Sequence, residues 1–187
     1  IAFGIGLESI SSPTGGVWRL DLFTISLSGL GNFIVLADTI VFFWLMGMMF
    51  TTKLLDGMDG LSTGIVMIGA LVIFFLSRQP KWFQPEVSLF AVIFMASCLG
   101  FLVWNSHPAK IFLGEGGSLF IGFLLGALAL ISGSKIATTL LVMGVPMLDV
   151  LRVIILRLGR KKSIFIGDSE HLHFRLLHSG LDQRQTV

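Results

Sequence analysis

Val87–Trp104, VSLFAVIFMASCLGFLVW, decides the fold: eighteen consecutive residues without a charge. A helix needs about 20 apolar residues to cross about 30 Å of hydrocarbon, and this run nearly fills that length. Four further uncharged or nearly uncharged stretches flank it, at Leu36–Leu55, Leu61–Ser77, Gly117–Ile131 and Lys135–Leu156. All five are continuous rather than alternating. In lipid only helices or closed barrels satisfy the backbone, so five membrane-spanning helices are expected and the fold class is an all-α polytopic membrane protein. Ile1–Gly6 reads as the end of one more span. Leu7–Ile10 and Val17–Leu20 flank the turn signal Ser11–Gly16 and are expected to pair as a short hairpin on the non-cytoplasmic side.

Composition agrees. Of 187 residues, 54% are hydrophobic and 13% charged, with mean hydropathy +0.90. A soluble domain carries about a quarter charged residues, so soluble, nucleic-acid-binding and disordered classes are excluded. The single Cys98 lies inside an apolar run and reads as a packing residue. The chain opens on Ile1 without a signal peptide, which suggests one membrane-embedded domain cut from a longer protein, without its N-terminal helices and last C-terminal helix.

Successive helices alternate direction, which sorts the connections into two sets. One holds nine Lys and Arg residues, including Lys53, Lys110 and Arg160-Lys161-Lys162; the other holds four, Arg19, Arg78, Lys81 and Lys135. The richer set is assigned to the cytoplasm. That same face carries most of the polar chemistry: Asp56, Asp59, Asn105, His107, Glu115, Asp168, Glu170, His171 and His173.

Three constellations stand out there. In Lys53-Leu54-Leu55-Asp56-Gly57-Met58-Asp59-Gly60, two carboxylates three residues apart would share nearly one face of a helix and could hold a hard cation. Carboxylates this close to hydrocarbon are costly, which favours function over head-group contact. In Asn105–Ser118 a helix ends on an amide, and Glu115 sits among glycines just before the next span. Gly-rich backbone at a helix N-terminus suits phosphate, with Glu115 as a metal ligand; an ordinary turn capped by Ser118 is the competing reading, and His107 alone reads as a loop hydrogen-bonder. In Asp168–His178, His171 and His173 point the same way if extended and diverge on a helix; the pair could hold metal, a diphosphate or a nucleotide. Asp149 and Arg152, three apart in the last span, read as an internal ion pair.

Four pieces in this order, LLDGMDGLSTG, NSHPAKIFLGEGGSLFIGF, VPMLDVLRVIILRL and GDSEHLHFRLLHSGL, resemble the second half of the polyprenyl-phosphate N-acetylhexosamine-1-phosphate transferase family. The resemblance implies a bacterial plasma-membrane enzyme of about ten helices with a cytoplasmic active face. Its reaction would move a sugar 1-phosphate, GlcNAc-1-phosphate by preference, from a UDP-sugar to undecaprenyl or polyprenyl phosphate. UMP would be released, and cell-envelope polysaccharide synthesis such as that of lipopolysaccharide or teichoic acid would begin. It implies catalytic roles for Asp56, Asp59 and Glu115, with Mg²⁺ or else Mn²⁺ held by Glu115 and Asp56. Substrate contacts would come from Asn105, His171, His173 and Lys53. The expected partners are the UDP-sugar, the prenyl lipid and the membrane, with a homodimer as the assembly left open. Glu115 stands where the family usually has aspartate, Lys53 where asparagine is usual, and Phe174 where a histidine is often found. The family's adjacent Asp-Asp pair has no counterpart in these 187 residues, so the chain alone is not expected to be active. The MurNAc-pentapeptide branch of the family and an ion-coupled transporter are the alternative readings; in the latter, Asp56, Asp59 and Glu115 would be cation sites.

Overall fold

The computed structural model describes residues 9–11, 17–19, 24–27, 31–132, 136–159, 172–180 and 182. Its contacts divide the chain into two compact units, Ile1–Met46 and Gly47–Val187.

The first unit holds two antiparallel hairpins and the start of a helix. Strand β1 (Ser9–Ser11) pairs with β2 (Val17–Arg19), Ile10 opposite Trp18. This is the expected hairpin with slightly shorter arms. β3 (Thr24–Leu27) pairs with β4 (Gly31–Ile34), a second hairpin that the sequence reading did not anticipate. The expected span end at Ile1–Gly6 lies outside the described residues.

Helices follow where the apolar runs predict them: α1 (Val35–Leu55), α2 (Leu61–Ser77), α3 (Pro85–Asn105), α4 (Gly114–Ile131) and α5 (Ile136–Gly159). A short α6 (Leu172–His178) forms in the histidine segment, where no apolar run marked a helix. A single 3₁₀ turn, Pro80–Trp82, joins α2 to α3. The punctuation is chemical. Pro85 opens α3, where its missing N–H costs nothing, and Glu86 follows in the first turn. Lys53 lies in the last turn of α1, favourably placed against the helix dipole. Gly60, at φ +78°, lets the chain reverse directly into α2.

Helices α1, α3 and α4 are long and apolar enough to cross a membrane. α2 is apolar but has 17 residues, about 26 Å of helix. α5 has 24 residues and carries Asp149, Arg152 and Arg157. Many large apolar side chains point outward, among them Phe90, Val103, Phe120 and Leu148, while the interior mixes Met48, Ile73, Leu125 and Met143 with small Ala, Ser and Thr. On α2 the buried positions Ser62, Val66, Gly69, Ala70, Ile73 and Ser77 recur at helical spacing. Such an inside-out pattern is expected where lipid replaces water and helices attract through close packing. Apart from its two short hairpins, the protein is thus an all-α polytopic membrane protein, with α2 at the centre of its second unit, packed on α3 and also touching α4 and α5.

Candidate functional site

The site gathers where α1 turns into α2. Asp56 and Asp59 do not share a helical face as their spacing suggested. α1 ends at Leu55, and Gly57 and Gly60 break the helix, so the two carboxylates sit in a turn rather than on one helix. Asp59 reaches the loop that follows α3. Its Oδ2 pairs with His107 Nδ1 at 2.9 Å and accepts the Ala109 backbone N–H at 3.2 Å. His107 is thus a loop hydrogen-bonder, as its sequence context suggested. Asp56 is half-buried, and burial pushes its carboxyl up to about 6.

Asn105 closes α3 and is 3% exposed. Its Oδ1 accepts from Thr63 Oγ1 at 3.2 Å and its Nδ2 donates to the Ile111 carbonyl at 3.0 Å, so both ends of the amide hold protein groups. The following loop is fixed further by Lys110 N–H donating to the Trp104 carbonyl at 2.8 Å, and Lys110 Nζ lies 5.0 Å from the Trp104 ring centre.

α4 begins at Gly114, three residues earlier than the apolar run implied, so Glu115 stands in its first turn rather than in the loop. The dipole of the helix favours a carboxylate there. Glu115 Oε1 is hydrogen-bonded and ion-paired to Lys53 Nζ from the end of α1. Beneath that pair the two helices are locked. Thr52 Oγ1 donates to the Ser118 carbonyl at 2.8 Å, and Gly122 lies flat against the α1 backbone near Met48 and Met49. The ion pair is solvent-exposed, 37% at Lys53 and 67% at Glu115. A Lys53→Ala, Glu115→Ala double-mutant cycle on thermal unfolding is therefore expected to give a coupling of only about 0.2–1 kcal/mol, weakened by added salt.

α6 docks at the same end. Leu177 packs on the cluster of Leu55, Met58 and Leu61 that brackets the aspartate turn. Asp149 contributes from α5. It pairs with Arg152 at 3.5 Å, as the spacing predicted, and its Oδ2 also accepts the Leu172 N–H at 2.9 Å, tying the start of α6 to α5. The second contact could not be read from an i, i+3 pair. His173 lies on α6, whereas His171 and Arg160–Lys162 fall outside the described residues. The sequence reading also missed Thr52, Thr63 and Gly122, and saw Ser118 only as a cap. Their signal was faint: small or hydroxylated residues near helix ends within apolar runs.

Among the described residues no three His, Cys, Asp or Glu side chains come close enough to enclose a metal ion. Mg²⁺ asks for less, taking one or two carboxylates and keeping waters and substrate phosphates as its other ligands. Asp56 fits that share. It is a hard oxygen donor partly withdrawn from water, and burial raises its pKa with no offset from a cation among the described residues. Glu115 has the same chemistry, but Lys53 already supplies its counter-charge.

On the flank of α3 and α4 runs an apolar groove of about 620 Å³, lined by Phe90, Phe94, Phe101, Leu113, Phe120 and Leu124. Leu113 brings it to the residue before α4, and Thr63 in its wall is the residue that holds Asn105.

The model of glycosyl transferase family 4 matches residues 3–133. A probable undecaprenyl-phosphate N-acetylglucosaminyl 1-phosphate transferase of Bacillus subtilis is 35% identical over 77% of the chain and 41% of its own length. A decaprenyl-phosphate N-acetylglucosaminephosphotransferase of Mycobacterium tuberculosis is 31% identical over the whole chain and 50% of its own length. A phospho-N-acetylmuramoyl-pentapeptide-transferase of Prochlorococcus marinus is 37% identical over 83% of the chain and 46% of its own length. The chain spans about half the length of the curated relatives it matches.

Proposed function

The chain belongs to glycosyl transferase family 4, and from that premise we propose that its protein transfers a sugar 1-phosphate, GlcNAc-1-phosphate, from a UDP-sugar to a polyprenyl phosphate, releasing UMP. The observation that carries this reading is the meeting of four separate segments at one end of the second unit. The Asp56–Asp59 turn, the loop after α3, the start of α4 and α6 are joined there by Asp59–His107, Lys53–Glu115 and Leu177. Polar groups drawn from distant parts of a lipid-facing chain to one end suit chemistry at the membrane surface.

The reaction's difficulty is charge. A lipid phosphate must approach a diphosphate, and both are anions, so the protein has more to neutralise and align than to activate. Mg²⁺, or Mn²⁺ in its place, would supply Lewis acidity to the diphosphate and the leaving UMP, with Asp56 and Glu115 as the chain's ligands. Lys53 is the chain's own cation at that position and would turn from Glu115 to a phosphate oxygen when the donor binds. Asn105 would keep the loop after α3 in place beneath the nucleotide sugar, and His171 and His173 would contact the UDP portion. The groove on α3 and α4 would take part of the prenyl chain, leaving its phosphate near Leu113 and Glu115. The excess of Lys and Arg on this side supports a cytoplasmic active face in a bacterial plasma membrane.

The test uses membranes from cells expressing the full-length protein, supplied with radiolabelled UDP-GlcNAc, undecaprenyl phosphate and Mg²⁺. Label is expected in the lipid fraction with stoichiometric UMP, and both should fall by about 100-fold or more in Glu115→Ala. Transfer from another UDP-sugar only would move the protein to a different branch of the family. No transfer from any would remove the transferase reading.

A further inference from the structure

Asp56 and Asp59 stand three residues apart in one turn, yet the structure engages them differently. Asp59 spans to the loop after α3, bonding His107 Nδ1 at 2.9 Å and the Ala109 N–H at 3.2 Å. The carboxylate is only 20% exposed, and its partners lie 48 and 50 residues away in sequence. Asn105, through the Ile111 carbonyl, and Lys110, through Trp104, pin the same loop from the other side. Gly60, the next residue, faces the end of α3: a methyl group there would lie 3.3 Å from Leu102 Cδ1 and 3.6 Å from Ser106 Cα.

A carboxylate that accepts a ring N–H and a backbone N–H on one oxygen is itself held in a fixed orientation by protein groups. What it does well is orientation: a carboxylate on Nδ1 fixes both the rotation and the tautomer of an imidazole. We infer that Asp59 is a positioning residue of the transferase, holding the Ser106–Ile111 loop and the His107 ring against the Asp56 turn so that the segment leading into Glu115 keeps its place for the UDP-sugar. This rests on the transferase reading. It separates the two aspartates, one proposed above as a metal ligand and one tied to the loop.

The experiment compares Asp59→Asn, Asp59→Ala, His107→Ala and the Asp59→Ala/His107→Ala double variant in membranes containing the full-length protein. Transfer is measured with UDP-sugar titrated, alongside hydrogen exchange of the 105–112 segment. Asparagine can still accept from Ala109 N–H and His107 Nδ1–H, so Asp59→Asn is expected to keep kcat within about 3-fold of wild type and retain loop protection. Asp59→Ala is expected to raise KM for the UDP-sugar about 10-fold or more, with kcat much less affected, and to speed exchange in the loop. The double variant should be no worse than Asp59→Ala, because both changes cut the same tie. An Asp59→Asn enzyme whose kcat falls about 100-fold would overturn the assignment and put the charge of Asp59 on the reacting atoms. So would unchanged loop exchange in Asp59→Ala. A wild-type protein that moves no label from any UDP-sugar would overturn the transferase reading, and this role with it.

Discussion

Gly122→Ala is expected to unfold the protein at a markedly lower temperature than wild type, with a loss of about 3 kcal/mol, near the upper end for overpacking a close helix contact. A methyl group at this position would overlap Thr52 Oγ1, stand 2.7 Å from the Met48 carbonyl oxygen and 3.0 Å from Met49 Cα. Two of these obstacles are backbone, which cannot rotate away as a flexible side chain would. α1 and α4 would have to separate, and separation breaks the bond from Thr52 Oγ1 to the Ser118 carbonyl. Because Lys53 and Glu115 sit one residue beyond Thr52 and three before Ser118, the same displacement pulls their ion pair apart. Thermal unfolding in detergent would register the stability loss. Gly64→Ala is the control: no heavy atom lies within 4 Å of a methyl group there, and its midpoint should stay near that of wild type.

The contrast between these two glycines shows what a sequence can disclose about such a protein. Span positions were legible because lipid imposes one rule, an uninterrupted apolar run of fixed length, and Leu61–Ser77 is recovered residue for residue. The ends were less so. Gly114-Glu115-Gly116 is polar enough to resemble a loop, yet a helix N-terminus tolerates it, and α4 starts there. Motif residues were legible as types but not as pairings. Three-residue spacing put Asp56 and Asp59 on one helical face, whereas the turn through Gly57 and Gly60 sends Asp59 to His107, 48 residues away. Contacts of that span depend on how α2 and α3 pack, and no local pattern encodes them. Asn105 reads from sequence as a ligand-binding amide, and in the fold its amide is occupied by Thr63 and Ile111. Gly122 and Gly64 look alike in sequence because each sits in an apolar helix; only the neighbour across the interface distinguishes them.

Asp56→Asn should have opposite effects on stability and activity. Burial raises the Asp56 carboxyl from about 4, its usual value, to about 6. Below pH 4 the group is protonated whether the chain is folded or not, and it costs nothing. Between about pH 4 and 6 the unfolded chain releases the proton while the folded one keeps it, so stability falls with rising pH; above about 6 both states are ionised and the penalty stays constant. Asparagine has no such proton. The unfolding midpoint of Asp56→Asn should therefore gain on wild type from pH 4 to 6 and hold that advantage to pH 8, provided metal is removed with a chelator. If Asp56 is the proposed metal ligand, added Mg²⁺ should reverse the order: it would stabilise the folded wild type through the ionised carboxylate and would find no such ligand in the variant. Transfer from UDP-sugar to lipid at neutral pH should fall by about 100-fold or more. A variant that is as active as wild type, or a wild type whose midpoint ignores Mg²⁺ at pH 7, would show that the half-buried charge of Asp56 serves something other than a cation.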